Sequence, residues 1–273
     1  MQHRQLGVQA HCLRFRIAES LEATLDEVAG LGLRAIELVS FPGCRGNRWG
    51  DFGAATDWRP EDIGSAIRKA GLVCPSVMVN AQELSEAQFD ATVRWLHGVD
   101  AGRLVLTSIP TPGAGSLLDW QQALATLNPT GEHLRSCGLQ FAIHTQPNLW
   151  AVVEGRRLAD ELLDAVDPQL CRIEFDPSGA IMYGADPAAY IAQRPASFYA
   201  LHLRDAARPP EPVFYQAAEP LGTGTVDWRS FLAAAEASAI EWYFLEMEVS
   251  EPGQTMNAIV ASQHFLQRQG LLQ

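Results

Sequence analysis

The chain has 273 residues, 47% of them hydrophobic and 19% charged, with no low-complexity stretch; this is the make-up of a globular protein with one large core, not of a disordered or fibrous chain. Its formal net charge is -12 and the basic residues are scattered, so the clustered positive surface that phosphate backbones attract is missing and no nucleic-acid partner is expected. No apolar run reaches the roughly 18–20 residues that span a bilayer, and the polar start Met1-Gln2-His3-Arg4-Gln5 lacks a signal-peptide core, which predicts no membrane partner and a cytoplasmic location.

Along the chain, short β-rich runs at 6–10, 35–39, 74–79, 103–107, 140–144, 172–176, 198–203 and 242–247 alternate with segments of helical periodicity. Leu21, Leu25 and Val28, and later Leu158, Leu162 and Val166, lie at spacings that put apolar side chains on one helical face. Ser85 and Gln88 have the spacing of a capping box, and Asp227 stands where a helix starting at Trp228 needs an N-cap. Glycines 30, 71, 138 and 270 follow helical runs, as helix C-termini favour. Eight strands, each followed by a helix, with about 34 residues per unit and no linker, predict a single-domain α/β fold, a (β/α)8 TIM barrel over residues 1–273. The longest irregular stretches, 41–58 and 206–226, follow strand ends, where barrel loops build active sites. The five cysteines are odd in number and show no CxxC or zinc-ribbon spacing, so they read as reduced packing thiols.

Side chains alternate faces along a strand, so one parity points at the helices and the other inward or towards the mouth. In the sixth strand Ile173 and Phe175 are apolar and Glu174 and Asp176 take the other parity. In the seventh, Leu201 and Leu203 oppose His202 and Arg204; in the eighth, Leu245 and Met247 oppose Glu246 and Glu248; in the fifth, Phe141 and Ile143 oppose His144. The early strands repeat the split with His11, Glu37 and Asn80, and Thr107 closes the fourth. A lone buried histidine is more often a hydrogen-bonded core group than a ligand. Several carboxylates and imidazoles converging on one barrel mouth are different, because they repel unless a cation balances them. Oxygen and imidazole ligands without thiolate suit manganese first, with magnesium, cobalt, iron or zinc as alternatives.

Four motifs then carry a resemblance. FDPSGAIMYGADP (175–187), ALHLRDA (200–206), LGTGTVDWRSFL (221–232) and EWYFLEME (241–248) resemble, in order, conserved stretches of the sugar phosphate isomerase/epimerase family, the xylose-isomerase-like TIM barrels related to endonuclease IV. LDEVAGLGLRAIEL (25–38) and IRKAGL (67–72) match more loosely. The resemblance implies Asp176, His202 and Glu246 as metal ligands, the residues that strand parity also selects. The family places a glutamate at or just beyond the end of the fifth strand, whereas this chain reads IHTQPNLW (143–150). His144 is the expected fourth ligand and Gln146 the alternative.

In the family's epimerases two metal-bound glutamates exchange the proton alpha to a carbonyl from opposite faces. With one glutamate gone, the resemblance implies an isomerase or epimerase acting on a sugar, keto-sugar or polyol derivative with Glu246 as base, His144 or a metal-bound water on the other face, and Arg204 positioning substrate. Dehydration of a keto-sugar or keto-polyol in the same site is the alternative. An endonuclease-IV-like phosphodiesterase would need a His-rich site and a basic surface, which seven histidines and a charge of -12 disfavour; a barrel reduced to a binding subunit is the remaining reading. Pocket candidates are His11, Glu37, Asn80, Thr107, Trp49, Trp150 and Glu248, with Phe52 and Trp58 as further aromatic walls. Homo-oligomerisation is common in such families, but no interface residue stands out.

Overall fold

The computed structural model describes residues 5–44, 52–109, 115–206, 220–247 and 252–270. Eight parallel strands close into a barrel: β1 (Gln5–Gln9), β2 (Ala35–Val39), β3 (Ser76–Val79), β4 (Arg103–Leu106), β5 (Gln140–His144) and, after a two-stranded hairpin of β6 (Val152–Val153) and β7 (Arg156–Arg157), β8 (Arg172–Phe175), β9 (Phe198–Leu203) and β10 (Trp242–Leu245). Each barrel strand pairs with its sequence neighbour in the barrel, and β10 closes on β1 with Gln5 opposite Trp242. The predicted TIM barrel is therefore the observed one.

The strand ends differ from the sequence pattern in an informative way. β1 stops at Gln9 because Ala10–Leu13 winds into a 3-10 turn. β8 and β10 stop at Phe175 and Leu245, so Asp176 and Glu246 are the first residues beyond the ladder. Both carboxylates thus sit on the rim instead of inside the sheet.

The helices form for the reasons their sequences give. In Pro60–Lys69, Pro60 occupies the first turn, Glu61 and Asp62 lie at the positive end of the dipole, Arg68 and Lys69 at the negative end, and Ile63, Ala66 and Ile67 are buried. Asp227 caps Trp228–Glu236 as predicted, accepting from Ser230 N at 3.1 Å. The Ser85–Gln88 box does not form. Ser85 instead offers its carbonyl to the amides of Gln88 and Phe89, both at 2.9 Å, because Ala81–Leu84 is already a 3-10 turn capped by Asn80 and Glu83. Gly71, Gly138 and Gly270 adopt positive φ at helix ends, but after Leu21–Gly30 that role falls to Gly32 at φ 77°.

Outward-facing Val8, Ile36, Val77, Leu104, Ile143, Ile173 and Leu201 are buried under the helices in one continuous apolar core. The barrel interior carries polar residues alongside Met78 and Phe244. Gln9 pairs with Glu37, Ser76 with Arg103, and His144 with Glu174, and all six are buried. Between Ile173 and Glu174 the register slips by one residue on β9, so Tyr199 is extra. That bulge turns the Tyr199 hydroxyl inward, to Glu174 Oε1 at 2.8 Å and Glu37 Oε1 at 3.3 Å.

All five cysteines are free thiols. Among the described residues no helix is long and apolar enough to cross a membrane.

Candidate functional site

The C-terminal rim collects the groups that strand parity selected. His202, on β9, sits at the centre and is fully buried. Its Nδ1 lies 2.9 Å from Glu246 Oε2, and its Nε2 lies 2.7 Å from Glu37 Oε2 and 3.2 Å from Glu174 Oε2. His144, at the end of β5, places Nδ1 3.2 Å from Glu174 Oε2, with its ring centroid 4.6 Å from that of His202. Arg204 Nη1 reaches Glu246 Oε1 at 3.4 Å and Asp176 Oδ2 at 3.8 Å. Of the four expected ligands, His202 meets Glu246 and lies beside His144, while Asp176 and Glu246 both face the Arg204 guanidinium.

Asp176 is fixed by local structure. Pro177 begins a short helix, Ser178 N donates to Asp176 Oδ1 at 2.7 Å, and the Thr145 hydroxyl accepts from the Asp176 amide at 2.8 Å. One carboxylate oxygen caps the helix and the other faces Arg204.

Four buried carboxylates beside two imidazoles and one guanidinium determine the protonation pattern. Burial and the neighbouring Glu174 charge raise Glu37 to a pKa of about 8, so Glu37 keeps its proton. Burial also favours the neutral form of Glu174, but His202 and His144 outweigh it and hold Glu174 well below the usual carboxylate range. Glu246 behaves similarly: burial is opposed by Arg204 and His202, which together keep it ionised. Asp176 is raised by burial, with Arg204 pulling the other way. Burial lowers His202, yet Glu174 and Glu246 more than reverse this and hold the imidazole protonated.

The donor set fits a divalent ion. Imidazole and carboxylate groups without thiolate are gathered at a buried point where carboxylates outnumber cations. Among the described residues, ligand atoms of His144, Glu174 and His202 come within 4.8 Å of one another. Glu174 was not among the expected ligands, although it shares the inward parity of Asp176. Ser76 shares that of Asn80 and was equally readable; it donates to Glu37 Oε1 at 2.6 Å. Tyr199 carried no such signal, since only the bulge brings it inward.

The remaining candidates are placed as follows. On β1 the inward position is held by Gln9, while His11 is half-buried in the following turn, its amide donating to Gln9 Oε1 at 2.5 Å. Asn80 uses its side-chain oxygen to cap Ala81–Leu84. Gln146 donates to the Thr107 carbonyl at 2.9 Å, bridging the ends of β5 and β4. Trp150 is buried between Phe175 and Tyr190, with centroids at 5.5 and 4.8 Å, on the helix side of the wall. Phe52 stacks on Phe41 at 4.6 Å, and Trp58 is exposed. Trp49 and Glu248 lie outside the described residues.

The structure also explains why two of the sequence motifs travel together. Asp205, next to Arg204, accepts from Ala206 N, Gly222 N and Trp228 Nε1 at 2.9, 2.7 and 3.0 Å. A Cβ on Gly224 would run into this carboxylate, so the glycine is needed for the loop to close on it. Asp205 is thereby committed to the loop, which leaves Arg204 to the rim.

A closed parallel barrel with an acid and imidazole cluster at the C-terminal ends of its strands defines a TIM-barrel protein, with the cluster at the end where the active sites of such barrels sit. The sequence profile described as Xylose isomerase-like TIM barrel matches residues 25–269, and the chain belongs to that family. Among solved structures, a sugar phosphate isomerase/epimerase from Parabacteroides distasonis superposes with a TM-score of 0.80 at 19% identity, covering 100% of this chain and 96% of that one. The IOLI protein with a binding zinc atom gives 0.73 at 12% identity, over 96% and 97% of the two chains. A probable 3-DHS dehydratase from Bacillus anthracis, involved in petrobactin synthesis, gives 0.70 at 14%, over 96% and 98%. No curated protein sequence matches significantly. At these identities the structural matches speak for the fold.

Proposed function

We propose that the protein is a metal-dependent isomerase or epimerase that acts on a sugar, keto-sugar or polyol derivative by abstracting a proton alpha to a carbonyl. The observation that carries this reading is the set of ionisable side chains at the barrel mouth, His202 and Glu246 in contact at 2.9 Å with Asp176 and His144 beside them. His144, Asp176, His202 and Glu246 would hold the ion, manganese being the first expectation. When bound, the ion polarises the substrate carbonyl and an adjacent hydroxyl.

The chain's own groups supply the rest. Glu246 is held ionised by Arg204 and His202, which is the form a general base needs, and it takes the proton from the carbon alpha to the carbonyl. The bonding electrons pass to the carbonyl oxygen, giving an enediolate. Glu246 returns the proton to the former carbonyl carbon in an aldose–ketose isomerisation, while the proton of the adjacent hydroxyl passes to the first oxygen and leaves the new carbonyl; in an epimerisation His144 serves the opposite face, and Gln146 then takes its place around the ion. Arg204, half-buried at the rim, orients substrate oxygens through its guanidinium fork. The family membership and the fold likeness to a sugar phosphate isomerase/epimerase support a small carbohydrate-like substrate.

A second reading is favoured by one specific feature. The end of β5 offers His144 and no carboxylate, which suits one-base chemistry: Glu246 removes the alpha proton and hands it to the β-hydroxyl, which leaves as water. That reaction is a dehydration.

The test is metal analysis of the purified protein together with assays on aldoses, ketoses and keto-polyols. Stoichiometric divalent metal, and turnover lost in Asp176→Ala and Glu246→Ala, are expected. Absence of metal with turnover unchanged in both variants would sink the proposal, and water loss in place of isomerisation selects the second reading.

A further inference from the structure

Below the rim, Glu174 makes a contact pattern that the four-ligand set leaves unexplained. One oxygen, Oε2, lies 3.2 Å from His144 Nδ1 and 3.2 Å from His202 Nε2. Its other oxygen accepts the Tyr199 hydroxyl at 2.8 Å. Tyr199 points there because of the β9 bulge, and its ring is backed by the Arg103 guanidinium at 3.9 Å. Glu174 is fully buried and tethered, so its Oε2 is a fixed point between two imidazole edges.

An imidazole nitrogen that donates to a carboxylate carries the hydrogen, and the lone pair is then on the other nitrogen. Applied to His144, this leaves the lone pair on Nε2; His202 has carboxylates at both nitrogens, and with Glu174 and Glu37 together on Nε2 it is Nδ1 that gives up its hydrogen when an ion binds. For His202 the direction is already visible, since Nδ1 faces Glu246 at the rim while Nε2 faces Glu174 and Glu37 below. We propose that Glu174 is a positioning residue that sets the tautomer and rotation of both imidazoles together, so that their lone pairs turn towards the ion. This rests on the metal-dependent reading above. Glu37 seconds it on His202 at 2.7 Å, but Glu174 is the group that joins the two rings.

The arrangement predicts something a packing role does not. In zinc-loaded protein labelled with nitrogen-15 histidine, long-range proton–nitrogen correlation spectra are expected to give His144 with hydrogen on Nδ1 and His202 with hydrogen on Nε2. Zinc titration of Glu174→Gln is expected to weaken affinity by about 10–100-fold, with the Nε2–H form of His144 becoming populated. Tyr199→Phe keeps the carboxylate but removes its tether, and a smaller loss in the same direction is expected. If Glu174→Gln does not fold, the wild-type spectrum and Tyr199→Phe decide the matter. Opposite tautomers in the zinc-loaded wild type, or unchanged affinity and spectra in the folded variants, overturn the positioning role while leaving the metal reading intact. A wild-type protein that takes up no zinc or manganese overturns the metal reading itself.

Discussion

Both ends of the barrel bury charge, but they balance it differently. At the N-terminal end Arg172 reaches Glu241 at 2.6 Å and donates to the carbonyls of Phe198 and Ala239, while buried Arg103 bonds Gln140 and lies 3.9 Å from Glu241. The two cations there share one half-exposed carboxylate and otherwise meet backbone and amide oxygens, with the buried Nε of each left without a partner. At the C-terminal end Glu37, Glu174, Asp176 and Glu246 outnumber the cations facing them, and one carboxylate must keep a proton. An end with no excess of acid needs no further cation; an over-acidic end does, and in a TIM barrel that is the end where chemistry resides.

The largest test of this contrast is Glu246→Gln. Removing the base while keeping the shape is expected to lower kcat by about 100- to 10,000-fold, measured on whichever substrate the wild type turns over. A comparable loss from a substitution at Arg172 would erase the difference between the two ends.

Metal removal comes next. Saturating ion at about 1,000 times its dissociation constant stabilises a folded protein by about 4 kcal/mol, so a chelator is expected to lower the unfolding midpoint and added manganese or zinc to restore it. The pH sense follows from His202. Glu174 and Glu246 overcome its burial and hold it protonated, whereas an ion needs the Nδ1 lone pair, so binding releases a proton. Affinity is expected to fall as pH is lowered, and calorimetry in buffers of different ionisation enthalpy reads the proton count. An affinity that rises on acidification would contradict the assignment of His202 as ligand.

Much of this was legible in the sequence because two periods run through it. Strand alternation places Glu37, His144, Asp176, His202 and Glu246 on one side, and the β/α rhythm spells out the barrel. Tyr199 was not legible, because on strict alternation it belongs to the outer face and only a one-residue bulge reverses it. Glu174 was visible by parity but looked redundant beside Asp176; its importance depends on the distance to two rings from different strands. The Ser85–Gln88 pair had the right spacing for a cap, yet a cap also requires a helix starting at the next residue, and here a 3-10 turn already occupies the preceding segment. Trp150 looked like a pocket wall because it follows a strand end, but the chain turns outward there and buries the indole against Phe175.

At the N-terminal end a smaller effect on a different quantity is expected. Arg172→Ala takes from the carbonyl of buried Phe198 a donor it now has, and an unsatisfied buried acceptor costs about 1–3 kcal/mol. Chemical denaturation should register that loss while kcat/KM stays at the wild-type value. A collapse of turnover without loss of stability would mean that the two ends are coupled through the Arg103 and Tyr199 stack.

The smallest expected effect lies outside both ends, at the cap of Trp228–Glu236. Asp227 accepts from the Ser230 amide and hydroxyl, at 3.1 and 2.6 Å, and Asp227→Ala should cost about 1 kcal/mol of stability with turnover and metal affinity intact. Those same bonds hold the Asp227 carboxyl below its usual value. Its contribution is therefore fully present above the ordinary aspartate range and is lost as pH falls through the lowered value, so the stability gap between wild type and variant should close in acid. A gap that instead widened in acid would mean that the cap acts through the neutral carboxyl, against the hydrogen-bond pattern seen here.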